Sequence, residues 1–347
     1  MYLALVLGAC ATPEQKEEQA TYYWPMAPEK PRFVFEGSLR TNVSIEKETE
    51  AQRTQRLISG ADRPIHRMVK PLDVAVRGGR VYVTDTVMRI VHVFDIPRRR
   101  YFYMGYRFEG KLTKPMGVAV DNNSNIYVID AGPNRVVKYD AMGLFALSVG
   151  KKGDLVRPTG VAVSDSGDRI YVVDTGGVAS RDHRIVVYDG EGNKVATIGT
   201  RGGKEGQFNL PVDADIGPDG KLYVLDAGNF RIQVFTPEGE FVKSWGEIGK
   251  GFGQFARPRS ISVDGDGNVY VGDTSFGNVQ VFSSEGRLLL PIGRRGPIDE
   301  PGRYRLLAGL DTDETNRLFV VGQFFNKIDI LRRLSEEESE RIHWERQ

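Results

Sequence analysis

Residue types on which many active sites depend are scarce in this 347-residue chain. It contains one cysteine, which excludes an intramolecular disulfide and a cysteine-based zinc site. The four histidines, His66, His92, His183 and His343, are scattered, so their spacing does not indicate a three-histidine zinc centre. The glycine-rich segment 199–204 lacks the spacing and the strand-to-helix context of a phosphate-binding loop. We therefore predict no metal, no cofactor and no catalytic residue.

Charge of one sign and long apolar runs are also missing. The net charge is +1, so any electrostatic attraction to a partner has to be local. No stretch approaches the ~20 apolar residues of a transmembrane helix. Glycine, in contrast, is abundant at 40 residues. This abundance indicates many tight turns, because turns often require a positive φ.

The only cysteine stands at a particular place. Residues 1–10 are apolar and end in Leu7–Cys10, which resembles a bacterial lipobox with small residues before the cysteine. No Lys or Arg precedes this short run, which we interpret as a start codon assigned too far downstream. The alternative is a frayed apolar N-terminus. We predict a signal remnant at 1–9, lipidation of Cys10, a tether at 10–31 and an exported, membrane-anchored protein on the periplasmic or extracellular side.

From residue 70 onward one plan repeats six times. Each copy has a short apolar strand that usually begins with Pro, a second strand, usually ending in Asp, and a third strand of alternating apolar residues. The second strands end at Asp85, Asp130, Asp174, Asp226, Asp273 and Gly322. The steps between these positions are 44 to 52 residues, the size of a propeller blade. With a fourth strand such as Phe145–Val149, the pattern predicts an all-β, six-bladed β-propeller with four-stranded blades.

The sixth copy has three strands before Ser335, where a helix-start signature begins. Its missing outer strand has to come from elsewhere. Segment 32–39 has the required length and apolar content, and we predict that it pairs with 327–331. This pairing would close the ring and remove an exposed sheet edge.

Short helices are predicted on both flanks of the repeat. One covers about 44–58, is capped at Ser44 and belongs to a propeller domain at 32–333. The other lies within 334–347. We expect the aromatic residues at 22–24, within the predicted tether, to contact either the membrane interface or the propeller body.

The repeat resembles the NHL repeat, in which Pro-x-Gly, Tyr-Val-x-Asp and Asn-x-Arg-Ile-x-Val-Phe follow one another. The residues that carry the resemblance are Pro115–Gly117, Tyr127–Asp130, Asn134–Arg135, Tyr223–Asp226 and Asn229–Phe235. The resemblance covers about 70–331 and implies a propeller. It leaves function open, because similar propellers bind RNA, act as extracellular sensor domains or carry lyase activity. With a lipobox, it implies a binding or assembly role in the envelope.

Residues that recur in every copy are predicted to hold the blades together. The strand-end aspartates recur, and basic residues follow four of them, at Arg89, Arg135, Arg184 and Arg231. An Asp and an Arg at adjacent strand ends can pair across the loop. We therefore interpret these pairs as structural.

Residues found in single copies are candidates for a site. Asp73, Asp213 and Ser260 replace the glycine of other inner strands, and next to them Asp215 and Arg259 replace small or apolar residues. These positions are predicted near the channel mouth, where propellers commonly bind ligands. The alternative is that they only line a water-filled channel.

The loops between blades carry fourteen basic and six acidic residues. They are predicted to emerge on one face, which would therefore be basic, although acids elsewhere could balance it. The candidate residues are Arg107, Lys111, Lys151, Lys152, Arg201, Lys204, Arg294 and Arg295. A basic face attracts anionic partners.

Together these features predict a non-enzymatic envelope lipoprotein that binds or scaffolds a protein or an anionic envelope partner. Nothing in the sequence indicates a homo-oligomer. One alternative is a lactonase-like hydrolase or lyase with a channel metal. Another is nucleic-acid binding by the basic face, which an exported location disfavours.

Overall fold

The computed structural model describes residues 21–346 and contains six sheets arranged as blades around a central channel. Each inner strand lies against the inner strand of the next blade, and the sixth lies against the first. The ring is therefore closed, and the predicted six-bladed propeller is confirmed.

The first five blades each have four antiparallel strands, ordered from the channel outward. Blade 1 consists of Pro71–Arg77, Arg80–Asp85, Ile90–Asp95 and Arg100–Met104. Blade 2 consists of Pro115–Val120, Ile126–Asp130, Arg135–Tyr139 and Phe145–Val149. Blade 3 consists of Pro158–Val163, Arg169–Asp174, Arg184–Asp189 and Lys194–Ile198. Blade 4 consists of Asp213–Ile216, Leu222–Asp226, Arg231–Phe235 and Phe241–Trp245. Blade 5 consists of Pro258–Val263, Val269–Asp273, Asn278–Phe282 and Leu288–Ile292.

Blade 6 is closed by the N-terminal part of the chain, as predicted. Its strands, from the channel outward, are Leu307–Thr312, Arg317–Gly322, Lys327–Arg333, Phe33–Leu39 and Tyr23–Trp24. The pairing of the fourth strand with the third runs from Phe33 opposite Arg333 to Leu39 opposite Ile328. This pairing covers the sheet edge that the sixth copy would otherwise expose.

The hydrophobic core is divided into six layers, each between two neighbouring blades. The second strands show why: in blade 1, Val81, Tyr82 and Val83 are all almost fully buried, although successive side chains point to opposite faces. Both faces of such a strand are apolar because each sheet packs between two others. Burying one side chain of this size stabilises the fold by about 1.5–3 kcal/mol.

The strand-end aspartates fix the loops that lead into the inner strands. Asp130 accepts hydrogen bonds from the backbone N–H groups of Thr113 and Lys114 at 3.0 and 2.8 Å. Asp174 does the same for Val156 and Arg157, at 3.1 and 2.8 Å. Equivalent bonds connect Asp85 to residues 69 and 70, and Asp273 to residues 256 and 257.

Three of the four predicted Asp–Arg pairs are present. The side-chain N···O distances are 3.6 Å for Asp130–Arg135, 3.3 Å for Asp174–Arg184 and 2.9 Å for Asp226–Arg231. The prediction for Arg89 was wrong. Arg89 precedes the third strand and has φ 61°, whereas the pairing arginines are the first residues of theirs. The buried His92 contacts Asp85 instead, at 3.4 Å.

The predicted flanks need two corrections. The first helix spans Glu50–Ser59 and begins at a capping box formed by Thr49 and Gln52, not at Ser44. Ser44 ends a short 3-10 helix, and its hydroxyl accepts hydrogen bonds from the Arg40 and Thr41 N–H groups. The second helix, Glu336–Glu345, starts after a capping box at Ser335. The other short 3-10 helices are Phe108–Gly110, Ala227–Asn229 and Gln323–Phe325.

The second correction concerns the predicted tether, whose later residues belong to the propeller. Tyr23 and Trp24 pair with Val34 and Phe33, and Trp24 is buried against blades 5 and 6. The aromatic residues therefore contact the body.

A short parallel pair, Thr200–Arg201 with Gln207–Phe208, lies in a loop between blades. Cys10 lies outside the described residues, so its lipidation stays a prediction. In the part of the chain that the structure describes, no helix is long and apolar enough to cross a membrane.

Candidate functional site: a channel with two unlike ends

The channel end where the inner strands begin opens into a cavity of about 430 Å³. Apolar side chains form part of its wall, among them Leu72, Met116 and Val212. Its polar lining residues are Asp73, Lys114, Arg157, Thr159, Asp213, Arg259 and Ser260. Three of the four residues predicted for the channel mouth, Asp73, Asp213 and Arg259, thus lie in one cavity.

Basic side chains surround this opening, and we call Lys114, Arg157, Arg257 and Arg259 the mouth cations. The first three immediately precede the prolines that begin the inner strands of blades 2, 3 and 5. Their backbone N–H groups are those held by Asp130, Asp174 and Asp273. The recurring frame of the blades therefore positions these basic residues around the opening. In the sequence these three cations stood out only as part of the loop charge.

Arg259 is the innermost of the mouth cations and is half-buried. Its charge interacts favourably with Asp73 and Asp213 and unfavourably with Arg257 and Arg157. Burial, followed by the charge of Arg257, lowers the pKa of Arg259 below its usual value. Arg259 makes no salt bridge or hydrogen bond with any residue in 21–346.

Asp73 and Asp213 connect neighbouring blades across the channel wall. Oδ2 of Asp73 accepts a hydrogen bond from the Val118 N–H at 2.9 Å, and Oδ2 of Asp213 accepts one from Ile261 at 3.0 Å. The other inner strands carry Gly117, Gly160 and Gly309 or Ser260 at this position. A Cβ at Gly160 would lie 2.7 Å from Asp213 Oδ1, so a glycine in one blade makes room for the aspartate in the next.

Burial changes the acidity of both carboxyls. It raises the pKa of Asp73 to about 7, although backbone N–H groups and Arg259 oppose the shift. Burial and the neighbouring charge of Asp73 hold the pKa of Asp213 well above its usual value. The floor of the mouth therefore contains two carboxyls that hold their protons more tightly than free aspartates do.

Asp215 does not join the other three predicted residues in the mouth cavity. It stands two residues after Asp213, on the same face of the strand but about 7 Å farther along. It lines a second cavity, of about 1,020 Å³, that opens at the opposite end of the channel and that Asp73 and Asp213 also line. Asp215 therefore shares the channel with Asp73 and Asp213, but it does not line the mouth cavity where it was predicted, because the strand carries it farther along the channel.

Asp311 lies near Asp215 and was missed in the sequence interpretation. The two carboxyls flank Ser262, whose hydroxyl donates to Asp311 Oδ1 at 3.1 Å. Burial raises the pKa of Asp215 to about 6, and burial with the Asp215 charge raises that of Asp311 well above its usual value. Aligning the weak sixth copy residue by residue would have found Asp311, since Ala75, Ala119 and Ala162 occupy its position elsewhere.

Acidic side chains dominate the second cavity, and most of them have partners. Asp264 and Asp313 bind backbone N–H groups of their own hairpins, and Asp168 accepts hydrogen bonds from Ser164 and Ser166. Arg77 contacts Glu314 at 3.1 Å and Asp165 at 3.7 Å. Much of the negative charge at this end of the channel is therefore paired within the protein.

The predicted basic face lies around the mouth cations. The loops before the inner strands of blades 2 to 6 all enter from this side, because every inner strand starts there. All eight predicted basic residues stand in these loops, and none forms a salt bridge with a described residue. Arg201 donates to the Ser180 carbonyl, and Arg107 lies 4.6 Å above the Tyr106 ring.

Among residues 21–346, no three His, Cys, Asp or Glu side chains converge so that they could hold a metal ion. His66, His92 and His183 are taken up elsewhere: His66 stacks on Tyr101, His92 contacts Asp85, and His183 accepts from the Leu210 N–H. The carboxyls of the channel each bind a backbone N–H group instead.

Comparisons with known proteins agree with this architecture. The NHL repeat model matches residues 155–188 and 208–235. Among solved structures, a streptogramin B lyase is 14% identical, with a TM-score of 0.57 over 77% of this chain and 94% of that one. A gluconolactonase from Xanthomonas campestris is 19% identical, with a TM-score of 0.57 over 86% and 98%. Kuenenia stuttgartiensis hydrazine synthase is 13% identical, with a TM-score of 0.54 over 76% and 96%. At these identities the likeness shows the fold alone.

Proposed function

We propose that this protein is a non-enzymatic binding module of the cell envelope that engages an anionic partner through its basic face. The observation that carries the proposal is a set of eight exposed basic residues in the loops of one face. None of them forms a salt bridge with a described residue. Unpaired charges of one sign produce a field that attracts an oppositely charged partner.

Several arginines elsewhere on the molecule are paired within the chain. Arg40 binds Asp299 at 2.6 Å, Arg80 binds Asp95 at 2.9 Å and Arg332 binds Glu338 at 2.9 Å. These arginines satisfy charges within the chain. The eight residues of the basic face have no such partner among the described residues, which supports binding of a partner outside the propeller.

The test is the binding of the full-length protein to two anionic polymers, polyglutamate and polygalacturonate, at increasing salt concentration. We expect binding that weakens steeply with salt, because each contact releases counterions. A triple variant, Lys151→Gln, Lys152→Gln and Lys204→Gln, should lose about tenfold or more in affinity. The polymer preferred would indicate an acidic protein or an acidic polysaccharide.

A matched control removes the same charge at other exposed positions. Lys47, Arg53 and Lys194 are exposed, lie outside the basic face and form no salt bridge with a described residue. The triple Gln variant at these positions should bind as the wild type does. Equal losses in both variants would show that only net charge matters and would overturn the assignment of the face.

The envelope location rests on the lipobox-like residues that end at Cys10. In cells fed a clickable fatty acid, the full-length protein should become labelled, and Cys10→Ala should not. Equal labelling of both forms would contradict the anchor. Turnover of a lactone by the purified protein, abolished by a chelator, would contradict the non-enzymatic assignment.

A further inference from the structure

The cavity at the basic channel mouth is built unlike the outer face. It is concave, has a volume of about 430 Å³ and combines cations, carboxyls and apolar walls. Ligand pockets for small molecules have this size and this mixture of groups. A flat surface for a polymer needs none of these features.

The hydrogen bonding of Arg259 in this cavity is incomplete. A guanidinium has five N–H donors, and those of Arg259 find no acceptor among residues 21–346. The side chain is half-buried, so water satisfies it only in part. Arg157 and Arg257 add repulsion. An anion placed beside Arg259 and Arg157 in the cavity would accept hydrogen bonds from Arg259 and reduce the repulsion between the arginines.

The backbone behind the mouth cations is already fixed. Asp174 and Asp273 hold the N–H groups of Arg157 and Arg257 at 2.8 and 2.9 Å. A site whose frame is in place before the ligand arrives loses little entropy on binding. The arrangement is therefore suited to reversible capture of a small molecule.

The floor of the cavity specifies the rest of the ligand. Asp73 and Asp213 present carboxyl groups there, and these accept hydrogen bonds from hydroxyl groups. Leu72, Met116 and Val212 contribute apolar contact. A ligand that matches both parts has an anionic group at one end and hydroxyl groups on a short carbon skeleton.

We propose that the mouth cavity is a binding site for a small hydroxylated organic anion, whose carboxylate or phosphate group contacts Arg259 and Arg157. Its hydroxyl groups face Asp73 and Asp213. The inference concerns the channel mouth and not the outer basic face, so binding of this anion and binding of a polymer can fail independently.

The experiment is isothermal titration of the full-length protein with three probes of one skeleton: glucuronate, glucose 6-phosphate and uncharged glucose. We expect a Kd of about 1 mM or tighter for at least one anion and no measurable binding of glucose. Preference between the two anions identifies a carboxylate or a phosphate ligand. Absence of binding by both anions, or equal binding of glucose, would overturn the proposal.

The variant Arg259→Gln should weaken anion binding at least about tenfold, the worth of one lost charge-assisted contact. Lys152→Gln removes the same charge on the same face but outside the cavity, and it should change the Kd less than about twofold. Since Arg157 is exposed, Arg157→Gln will fold in any case and should weaken binding severalfold. Unchanged affinity in both arginine variants would place the anion elsewhere.

Discussion

The two ends of the channel are made by the same six inner strands, but they differ in whether their charged side chains are paired within the protein. At the acidic end, Arg77 contacts Glu314 and Asp165, and hairpin aspartates such as Asp264 bind backbone N–H groups. At the basic end, Arg259 and the side chains around it have no anionic partner among the described residues at salt-bridge distance.

This difference shows that the amount of charge is a poor guide to a site. The acidic cavity is the larger and contains more ionisable residues, yet most of its groups are engaged in holding hairpins or in ion pairs. The basic mouth is smaller, and its cations form no salt bridge with a described residue. Charge that the fold does not use is available for a ligand.

The largest expected effect on stability comes from a buried aspartate that holds loop backbone, compared with an exposed aspartate at the rim of the acidic end. Asp174→Ala should lower the free energy of unfolding by about 3–5 kcal/mol, because two loop N–H groups and Arg184 lose a buried acceptor. Urea denaturation measures this loss. Asp174→Asn, which keeps one acceptor, should lose less and provides a folded form if the alanine variant does not fold.

The control is Asp165→Ala. This side chain is 81% exposed and contacts Arg77 at 3.7 Å, so the expected loss is below about 1 kcal/mol. Similar losses for the two substitutions would mean that the strand-end aspartates do not hold the loops, and the contrast between the two ends would be lost.

The sequence was sufficient for the ring because each blade repeats the residues that its frame needs. Pro71, Tyr82 and Asp85 have counterparts in later copies, and their spacing alone predicts strands, turns and blade count. The closing strand was also predictable, since 32–39 is apolar and the sixth copy lacks a strand. The start of the first helix was not, because Ser44 and Thr49 both have the chemistry of a cap and tertiary contacts decided between them.

The site was predictable only where a residue interrupts the repeat. Asp73, Asp213 and Arg259 stood out for that reason. Asp311 did not, because the sixth copy is too divergent to show what it interrupts. Asp213 lines both cavities and Asp215 only the second, a difference that depends on the course of the strand through the channel and cannot be read from the residue pattern.

An intermediate effect is expected from the pH dependence of the acidic end. Burial raises the pKa of Asp215 to about 6 from an unfolded value near 4, so the folded form holds the proton more tightly. Stability from this group is therefore complete below about pH 4 and is lost as pH rises towards 6. Asp215→Asn should be more stable than the wild type by about 1–2 kcal/mol at pH 8, with no difference at pH 3.5.

Denaturation of both forms across this pH range measures the effect. Asp165→Asn, at an exposed position of the same end, should show no such crossover. If Asp215→Asn destabilised the protein equally at all pH values, its role would lie in the bond to the Val263 N–H and not in its charge.

The smallest expected effects on stability come from replacing one arginine at each end of the channel. The two replacements should not change stability in the same direction. Arg77→Gln breaks two partly exposed ion pairs and should lower the free energy of unfolding by about 0.5 kcal/mol. Arg259→Gln removes a half-buried charge that Arg157 and Arg257 repel, so stability should stay unchanged or rise by a similar amount. Thermal unfolding at high and low salt measures both, and about 10 mM of the preferred anion should stabilise the wild type and Arg77→Gln but not Arg259→Gln. A loss on Arg259→Gln larger than that on Arg77→Gln would mean that Asp73 and Asp213 already satisfy Arg259, and the mouth would then have no unmet charge to offer a ligand.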